Sequence, residues 1–265
     1  MKRMFVVIFG LLIFAGLALG QTGVKKKRPL PHEYGNVIIN NYSEKAGLAP
    51  VEFKHWLHRA KYTCRLCHVD IAFGMKADST NIKASDNRKG FYCGTCHNGK
   101  MLYNDKPIFP SCMLQYTQDD AKRCERCHSV GRNVIGEFDF YTFTKKFSKE
   151  RFGNGVDWEK AEADGFVKLV DFIEGVSVKR KAMAVQKDFT LNAAVAGMPD
   201  IIFSHTKHTV WVGCELCHPE LFIGVKKGLT KYSMAEIYEG KYCGACHVKV
   251  AFPLLDCQRC HTKAV

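Results

Sequence analysis

The stretch that decides the fold runs from Phe203 to His218 and reads FSHTKHTVWVGCELCH. It is followed by CGACH at 243–247 and CQRCH at 257–261, so three Cys-x-x-Cys-His motifs follow one His-x-x-His pair. In such a motif two thiols form thioethers with the vinyl groups of a haem, and the adjacent histidine binds the iron. The stretch therefore predicts three covalently attached haems.

The same pattern occurs 150 positions earlier. VEFKHWLHRAKYTCRLCH (51–68) and CGTCH (93–97) match the later copy, and CERCH at 124–128 adds a third motif. The cysteines predicted to bind haem are Cys64, Cys67, Cys93, Cys96, Cys124, Cys127, Cys214, Cys217, Cys243, Cys246, Cys257 and Cys260. The motif histidines predicted to bind iron are His68, His97, His128, His218, His247 and His261. Together the two copies predict six covalently attached haem c groups.

The cysteine content does not indicate a disulfide scaffold, because twelve of the thirteen cysteines belong to these motifs. Zinc ribbons also use paired cysteines, but the histidine that ends every motif favours haem. Cys112 is left over, in a segment that lengthens the first copy by 17 residues between its second and third motifs. IFP in that segment (108–110) resembles AFP at 251–253. Two roles stay open for Cys112: a tolerated thiol or an intermolecular disulfide.

Residues 1–20 have the pattern of a signal peptide, with a basic start, an apolar run and small residues before Gln21. A retained membrane anchor is the alternative, at the short limit of a spanning helix. We expect an exported protein, in the periplasm or at the cell surface. Residues 21–31 are basic, contain two prolines and are predicted to be flexible.

The formal net charge of +13 is typical of nucleic-acid-binding proteins. Six haems would add twelve propionate carboxylates, however, which would nearly cancel this charge. The lysines and arginines are therefore interpreted as counter-ions of haem, and no nucleic-acid partner is predicted.

The chain divides into a first triheme module (32–131), a connector (132–200) and a second triheme module (201–265). We expect a multihaem cytochrome c fold of short α-helices and loops packed on haems, with little regular structure and short strands in the connector. EFDFYTFTKKF (137–147) predicts a strand or an apolar contact surface. Asp157 is predicted to cap a helix that stops at Gly165. Ser233 and Glu236 predict a capping box around a second short helix, which Gly240 ends.

Six six-coordinate haems need twelve axial ligands, and the chain has eleven histidines. Besides the six motif histidines there are His32, His55, His58, His205 and His208. Members of each His-x-x-His pair lie three positions apart, on one side of a helix, from which each can reach a different iron. The histidine count is one ligand short.

The spacing of the histidine pair and the three motifs resembles the triheme cytochromes of the c-seven type, within the cytochrome c-three superfamily. The resemblance covers about 160 of the 265 residues. It implies that His55 pairs with His68, His58 with His97, His205 with His218 and His208 with His247.

The resemblance also implies that the third haem of each module takes a histidine or methionine from just before the second motif. Met234 is the nearest candidate in the second module, opposite His261. His32 is the remaining histidine and is assigned to the haem on His128. Met75 and Met101 are rivals, and His32 has the alternative of binding a haem of another subunit.

These residues predict a hexahaem electron carrier between redox-partner proteins, and not an enzyme. One alternative is a multihaem reductase of a small oxyanion at an open iron, on His128 or His261. The other is a subunit of a polymerised haem filament or of a membrane electron-transfer complex.

Overall fold

The computed structural model describes residues 28–112, 123–129, 139–180, 187–224 and 226–263. The predicted signal peptide and most of the basic segment lie outside the described residues. Among those described, no helix is both long and apolar enough to cross a membrane. From Pro31 onward the chain forms one unit.

Short helices carry half of the twelve predicted iron ligands. They are α1 (His55–Arg59), α2 (Ala84–Arg88), α3 (Cys93–Cys96), α4 (Phe140–Phe143), α5 (Trp158–Ala163), α6 (His205–Val212), α7 (Met234–Tyr238), α8 (Gly244–His247) and α9 (Cys257–Cys260). A 3-10 turn spans Glu44–Ala46 and a π-helical turn spans Leu66–Asp70. Haem motifs thus form their own helical turns, among them those at 93–97, 243–247 and 257–261. This places both cysteines and the following histidine on neighbouring positions of one turn.

Strands are equally short and form three small antiparallel sheets. They are β1 (Val37–Ile39), β2 (Val51–Phe53), β3 (Leu102–Tyr103), β4 (Lys106–Pro107), β5 (Phe189–Leu191), β6 (Asp200–Phe203) and β7 (His261–Lys263). β1 pairs with β2, β3 with β4, and β6 lies between β5 and β7. The expected connector strand is present as β5, but strands also occur in both modules, where none was expected.

Each histidine pair follows a hairpin. β1 and β2 pair with Val37 opposite Phe53 and lead directly into α1. β5 and β6 pair with Phe189 opposite Phe203 and lead into α6. The hairpin fixes the start of each helix, so the internal repeat is structural as well as sequential.

The connector confirms one helix prediction and corrects a strand prediction. The Asp157 carboxylate accepts from the backbone N–H of Lys160 at 3.0 Å and caps α5, which ends before Gly165 in a left-handed conformation (φ 77°). The described part of the aromatic segment, residues 139–147, does not form a strand, because the Asp139 carboxylate caps α4 through Thr142 N–H at 2.8 Å. The alternative for that segment, an apolar contact surface, is correct.

The main apolar core joins the connector to the first module. Trp56 and Ala60 of the first module pack with connector side chains, namely Phe140, Phe147, Val156, Trp158, Ala161 and Val167. Trp56 meets Phe140 edge to face, with ring centroids 5.1 Å apart. Burying side chains of this size stabilises the fold by about 1.5–3 kcal/mol each. The connector is therefore a packed structural element.

The second module has little core of its own. Among its described residues the buried hydrophobic side chains are Leu216 and Ile237. The predicted capping box is present, since Ser233 accepts from Glu236 N–H and the Glu236 carboxylate accepts from Ser233 N–H. α7 ends at Tyr238, and Gly240, two residues later, has a φ of 90°. So small a protein core is what a module packed around haems would have.

Candidate haem-binding sites

Ten of the eleven histidines share one contact, a hydrogen bond between Nδ1 and a backbone carbonyl oxygen at 2.7–3.3 Å. The bonds join His55 to Gly35, His58 to Lys54, His68 to Phe73, His97 to Phe109, His128 to Ala49, His205 to Lys187, His208 to Ser204, His218 to Phe222, His247 to Phe252 and His261 to Pro199. A carbonyl oxygen can only accept, so Nδ1 carries the proton in each ring. The lone pair of the neutral ring is then on Nε2, which is the arrangement of a metal-binding histidine.

The residues that supply these carbonyl oxygens lie at equivalent positions in the two modules. His58 and His208 bind the carbonyls of Lys54 and Ser204, which are 150 positions apart. His128 and His261 likewise bind the carbonyls of Ala49 and Pro199, also 150 positions apart. The third motifs of the two modules are thus oriented by equivalent backbone atoms, although they do not lie 150 positions apart themselves.

Three of the predicted pairs face each other across a gap that suits one iron. The ring centroids are 6.5 Å apart for His55 and His68, 6.3 Å for His58 and His97, and 6.2 Å for the second-module pair His208–His247. Two metal–nitrogen bonds of about 2 Å each, plus the distance from each nitrogen to its ring centre, span about the same length. The histidines therefore fit the axial positions of a haem iron.

The rings of the fourth predicted pair, His205 and His218, are not in contact with each other. His218 binds the carbonyl of Phe222 at 2.9 Å, and His205 binds that of Lys187 at 3.3 Å. Both rings have the same Nδ1 arrangement as the other ligands, but among the described ring contacts they do not meet each other. The pairing of His205 with His218 stays a prediction.

The distal ligands of the two third haems also stay predictions. His32 differs from the other histidines, since its Nδ1 lies 3.2 Å from the Tyr141 hydroxyl and not beside a carbonyl. Met234 begins α7, and its side chain is 43% exposed. Of its rivals, Met75 is also exposed.

Phenylalanine rings pack against the histidines at equivalent places. Phe53 stacks on His58 with centroids 4.3 Å apart, and Phe203 stacks on His208 at 4.5 Å. Phe109 and Phe252 lie 4.4 and 4.3 Å from His97 and His247, whose Nδ1 atoms bind the same residues' carbonyls. Such packing restricts rotation of the imidazole rings.

The contacts of Phe109 and Phe252 with these histidines explain why IFP (108–110) and AFP (251–253) resemble each other in the sequence. Each phenylalanine orients the histidine of the second motif, twelve positions after His97 but only five after His247. Seven of the 17 extra residues therefore lie before Phe109. They accommodate the β3–β4 hairpin, whose turn residues Asn104 and Asp105 have positive φ.

Burial lowers the pKa of several of these imidazoles. It lowers that of His58 to about 3 and those of His55 and His247 to about 4, while backbone hydrogen bonds oppose the shift. The pKa values of His68, His97 and His208 are also lowered by burial. Metal binding requires the neutral ring, and at neutral pH these rings are neutral.

The motif cysteines are free thiols here, standing where the holoprotein would have thioether sulfurs. Burial raises the pKa of Cys67, Cys93 and Cys246 to about 12. A neutral sulfur suits these positions, and a thioether is neutral. Cys112 accepts from the side-chain amide of Asn87 at 3.6 Å, and both roles proposed for it stay open.

A charged network joins the first motifs of the two modules, and no sequence signal predicted it. The Asp70 carboxylate, whose side chain is 1% exposed, lies 3.4 Å from Arg65 and 2.8 Å from Arg180. Arg180 also binds Glu215, which lies inside the CELCH motif, at 2.5 Å. The connector therefore holds the residues after His68 close to the haem motif at 214–218.

Comparison with known proteins identifies the family of the chain. The family model described as "Cytochrome c7 and related cytochrome c" matches residues 51–129 and 201–262, together more than half of the chain. A solved c7-type three-heme cytochrome domain is 38% identical and covers 31% of this chain and 99% of that one, with a TM-score of 0.27. No curated protein matches.

A solved C-terminal hexaheme fragment of a dodecaheme cytochrome c is 24% identical, covering 89% of this chain and 99% of the fragment, with a TM-score of 0.26. The N-terminal hexaheme fragment of the same protein is also 24% identical, covering 87% of this chain and 99% of that one at a TM-score of 0.25. With the family model matching both modules, the chain belongs to the family of cytochrome c7 and related cytochromes c, and it is a multihaem c-type cytochrome.

Proposed function

We propose that this protein is an exported hexahaem electron carrier, which passes electrons between redox-partner proteins through closely spaced haems. The observation that supports this most strongly is the common orientation of ten histidines, each with Nδ1 bound to a carbonyl and Nε2 available. Six of them end Cys-x-x-Cys-His motifs and four belong to the two His-x-x-His pairs. Four haems would then be ligated by two histidines each.

Haem c supplies the one-electron ferric–ferrous couple when it is bound. The protein residues hold the imidazoles neutral and fixed in rotation. The carbonyl acceptors and the Phe53 and Phe203 rings do this around the histidine pairs. A rigid ligand set lowers the structural change that accompanies each electron transfer, which favours a carrier role.

Coordination of the two remaining haems completes the proposal. His32 is the distal ligand of the haem on His128, and Met234 is the distal ligand of the haem on His261. A methionine ligand raises the reduction potential above that of a bis-histidine haem. The chain would then hold haems of at least two potentials.

A multihaem reductase is the second candidate, and one observation favours it. Among the described ring contacts, neither His128 nor His261 faces a second histidine, and the proposed ligand Met234 is 43% exposed. An iron left open at either site is able to bind a small oxyanion. The two candidates therefore differ in the coordination of these two haems.

The experiment is to purify the exported holoprotein and count its covalent haems by intact mass, then record its ferric spectra with and without cyanide or nitrite. An electron carrier is expected to carry six low-spin haems whose spectra do not change. A high-spin component that binds nitrite would support the reductase instead. Haem staining of a denaturing gel distinguishes both from zinc ribbons.

Substitutions test the two proposed distal ligands, His32 and Met234. His32→Gln is expected to convert one haem to high spin, whereas the matched control Tyr141→Phe keeps the histidine and should leave all haems low-spin. Met234→Leu is expected to remove the methionine–iron charge-transfer signal and to lower one potential. An unchanged spectrum in either His32→Gln or Met234→Leu would contradict that ligand assignment.

A further inference from the structure

Arg59 lies where the two modules meet, and its contacts reach residues of both. It ends α1, directly after His58, and its Nη1 donates to the carbonyl of Val250 at 2.8 Å. Val250 follows His247 by three positions. The guanidinium therefore joins the helix that carries the first histidine pair to the chain that leaves the second motif of the other module.

Aromatic rings surround the Arg59 guanidinium. It lies over the Trp158 ring of the connector at 5.0 Å and over the Trp211 ring of the second module at 5.3 Å. The face of a tryptophan ring attracts a cation, and more strongly where water is excluded. The aromatic contacts hold the charge at a fixed place.

Among the described residues, no carboxylate lies within ion-pair distance of Arg59. Glu162, Tyr34 and Cys64 act on it only through longer-range electrostatics. A partly buried cation without a carboxylate partner is costly unless some other negative or polarisable group compensates for it. Here the neighbouring segments carry predicted haem ligands, since Arg59 ends the helix that holds His55, and its acceptor Val250 lies three positions after His247.

Two further contacts hold the same segment of the second module against the first. The Tyr34 hydroxyl donates to the carbonyl of Ala251 at 2.7 Å. At Gly35 (φ 81°) a side chain would lie only 3.3 Å from the carbonyl oxygen of Lys249, so glycine permits the close approach. Gly35 also supplies the carbonyl that orients His55. The ligand of one haem and the neighbour of another are thus fixed by the same few residues.

A contact between the first motifs of the two modules indicates the same proximity. Gly213, directly before Cys214, lies against the side chain of Arg65, which is inside the motif at 64–68. Lys249 and Val250, which follow His247 of the second motif, lie against Gly35 and Arg59. The first haem site therefore lies beside the fourth and fifth, although the third and fourth motifs are the ones adjacent across the connector in sequence.

We propose that electrons cross between the modules at this junction, and that Arg59 is its positioning residue. It is a fixed cation that holds residues 249–251 against α1 and raises the reduction potentials of the haems on His68 and His247. Reduction adds one electron to a haem, which a nearby positive charge favours. The proposal rests on the proposed electron-carrier function with six haems.

Arg59 has no counterpart in the repeat. The equivalent position 150 residues later is Thr209, whose hydroxyl donates to the carbonyl of His205 within its own helix. The cation is therefore not needed to form a histidine pair on a helix. This separates its role at the junction from haem ligation.

The test is redox titration of the holoprotein on an electrode, comparing Arg59→Gln, Arg59→Lys and the surface control Arg151→Gln. Arg59→Gln is expected to lower the reduction potentials of two haems. The expected shift of each is ~59 mV, which for a one-electron couple is a tenfold change in the ferrous-to-ferric ratio. Arg59→Lys keeps the positive charge but loses the planar guanidinium group, and it should retain the wild-type potentials. Arg151→Gln should change none of them.

A purely structural role would affect the lysine and glutamine variants alike, and that result would overturn the proposal. Unchanged potentials in Arg59→Gln with all six haems present would overturn it too. Arg59→Met, which keeps the apolar stem between the tryptophans, serves if the glutamine variant incorporates fewer haems. Fewer than six haems in the wild-type protein would instead contradict the proposed function, so the two failures are distinguishable.

Discussion

Arg65 of the first module and Gly213 of the second lie in direct contact: a methyl group added at Gly213 would collide with Cδ of Arg65. Gly213 has a φ of 67° and a ψ of −173°, a region of backbone conformation that is essentially confined to glycine. The two modules therefore approach each other where side chains are excluded.

Gly213→Ala is expected to destabilise the holoprotein by about 1–3 kcal/mol from backbone strain alone, with displacement of Arg65 adding to the loss. Gly47→Ala is the control for an ordinary left-handed glycine, because Gly47 has a φ of 72° and a ψ of 17° and open space around its Cα. Chemical denaturation measures both variants. Equal losses of stability would show that the glycine-only backbone and the contact with Arg65 together add nothing at Gly213.

Asp70→Asn is expected to weaken the link between the modules. Its buried carboxylate binds Arg65 and Arg180, and removing one member of a buried ion pair costs about 3–5 kcal/mol. Here Arg65 keeps Asp171 as a partner and Arg180 keeps Glu215. The expected loss is therefore at the low end of that range. Denaturation of the holoprotein measures it.

Asp164→Asn provides the control for that prediction, since the Lys160–Asp164 pair is exposed and such pairs contribute little. If both substitutions lower the unfolding free energy equally, the network around Asp70 has no special role in stability.

His58→Ala is expected to leave one haem, that on His97, without its distal ligand and to convert one of the six to high spin. His208→Ala should do the same to the haem on His247, because the two histidines occupy equivalent places opposite those rings. Electron paramagnetic resonance of the ferric proteins measures the change. Loss of low-spin signal from two haems in either variant would refute the pairing.

Stability is expected to fall as the pH is lowered from about 6.5 towards 4. Burial lowers the pKa of the unliganded His55 ring to about 4 and that of His58 to about 3, and binding to iron would also keep both rings unprotonated, whereas an unfolded histidine titrates near 6.5. Between these values the unfolded state binds more protons, so acid favours unfolding by up to about 1.4 kcal/mol per pH unit for each histidine. Stability should change little between pH 7 and 8. A flat profile from pH 6.5 to 5 would contradict the buried, neutral state of these rings.

The family, the two modules and the short helices were predictable because covalent haem attachment imposes a fixed local pattern. Asp157 and Ser233 predicted helix starts correctly for a similar reason, since a cap depends on neighbouring residues only. The strand alternative for the aromatic segment is wrong for its described residues, 139–147, because Asp139 provides a helix cap that the aromatic pattern did not reveal.

The junction between the modules was not predictable from the sequence. Arg59, Asp70 and Arg180 are ordinary charged residues in their local sequence, and their partners lie up to 191 positions away. Gly35 and Gly213 likewise show their role only when the opposing backbone or side chain is in place. Non-local contacts of this kind depend on how the modules pack.

The most direct test of the central claim is to combine intact-mass counting of covalent haems with low-temperature electron paramagnetic resonance and near-infrared magnetic circular dichroism. We predict six haems, of which five are bis-histidine and one is histidine–methionine. Six bis-histidine haems would contradict the assignment of Met234 and the ligation of all haems within one chain. Fewer than six haems, or open irons that bind nitrite, would contradict the hexahaem electron carrier itself.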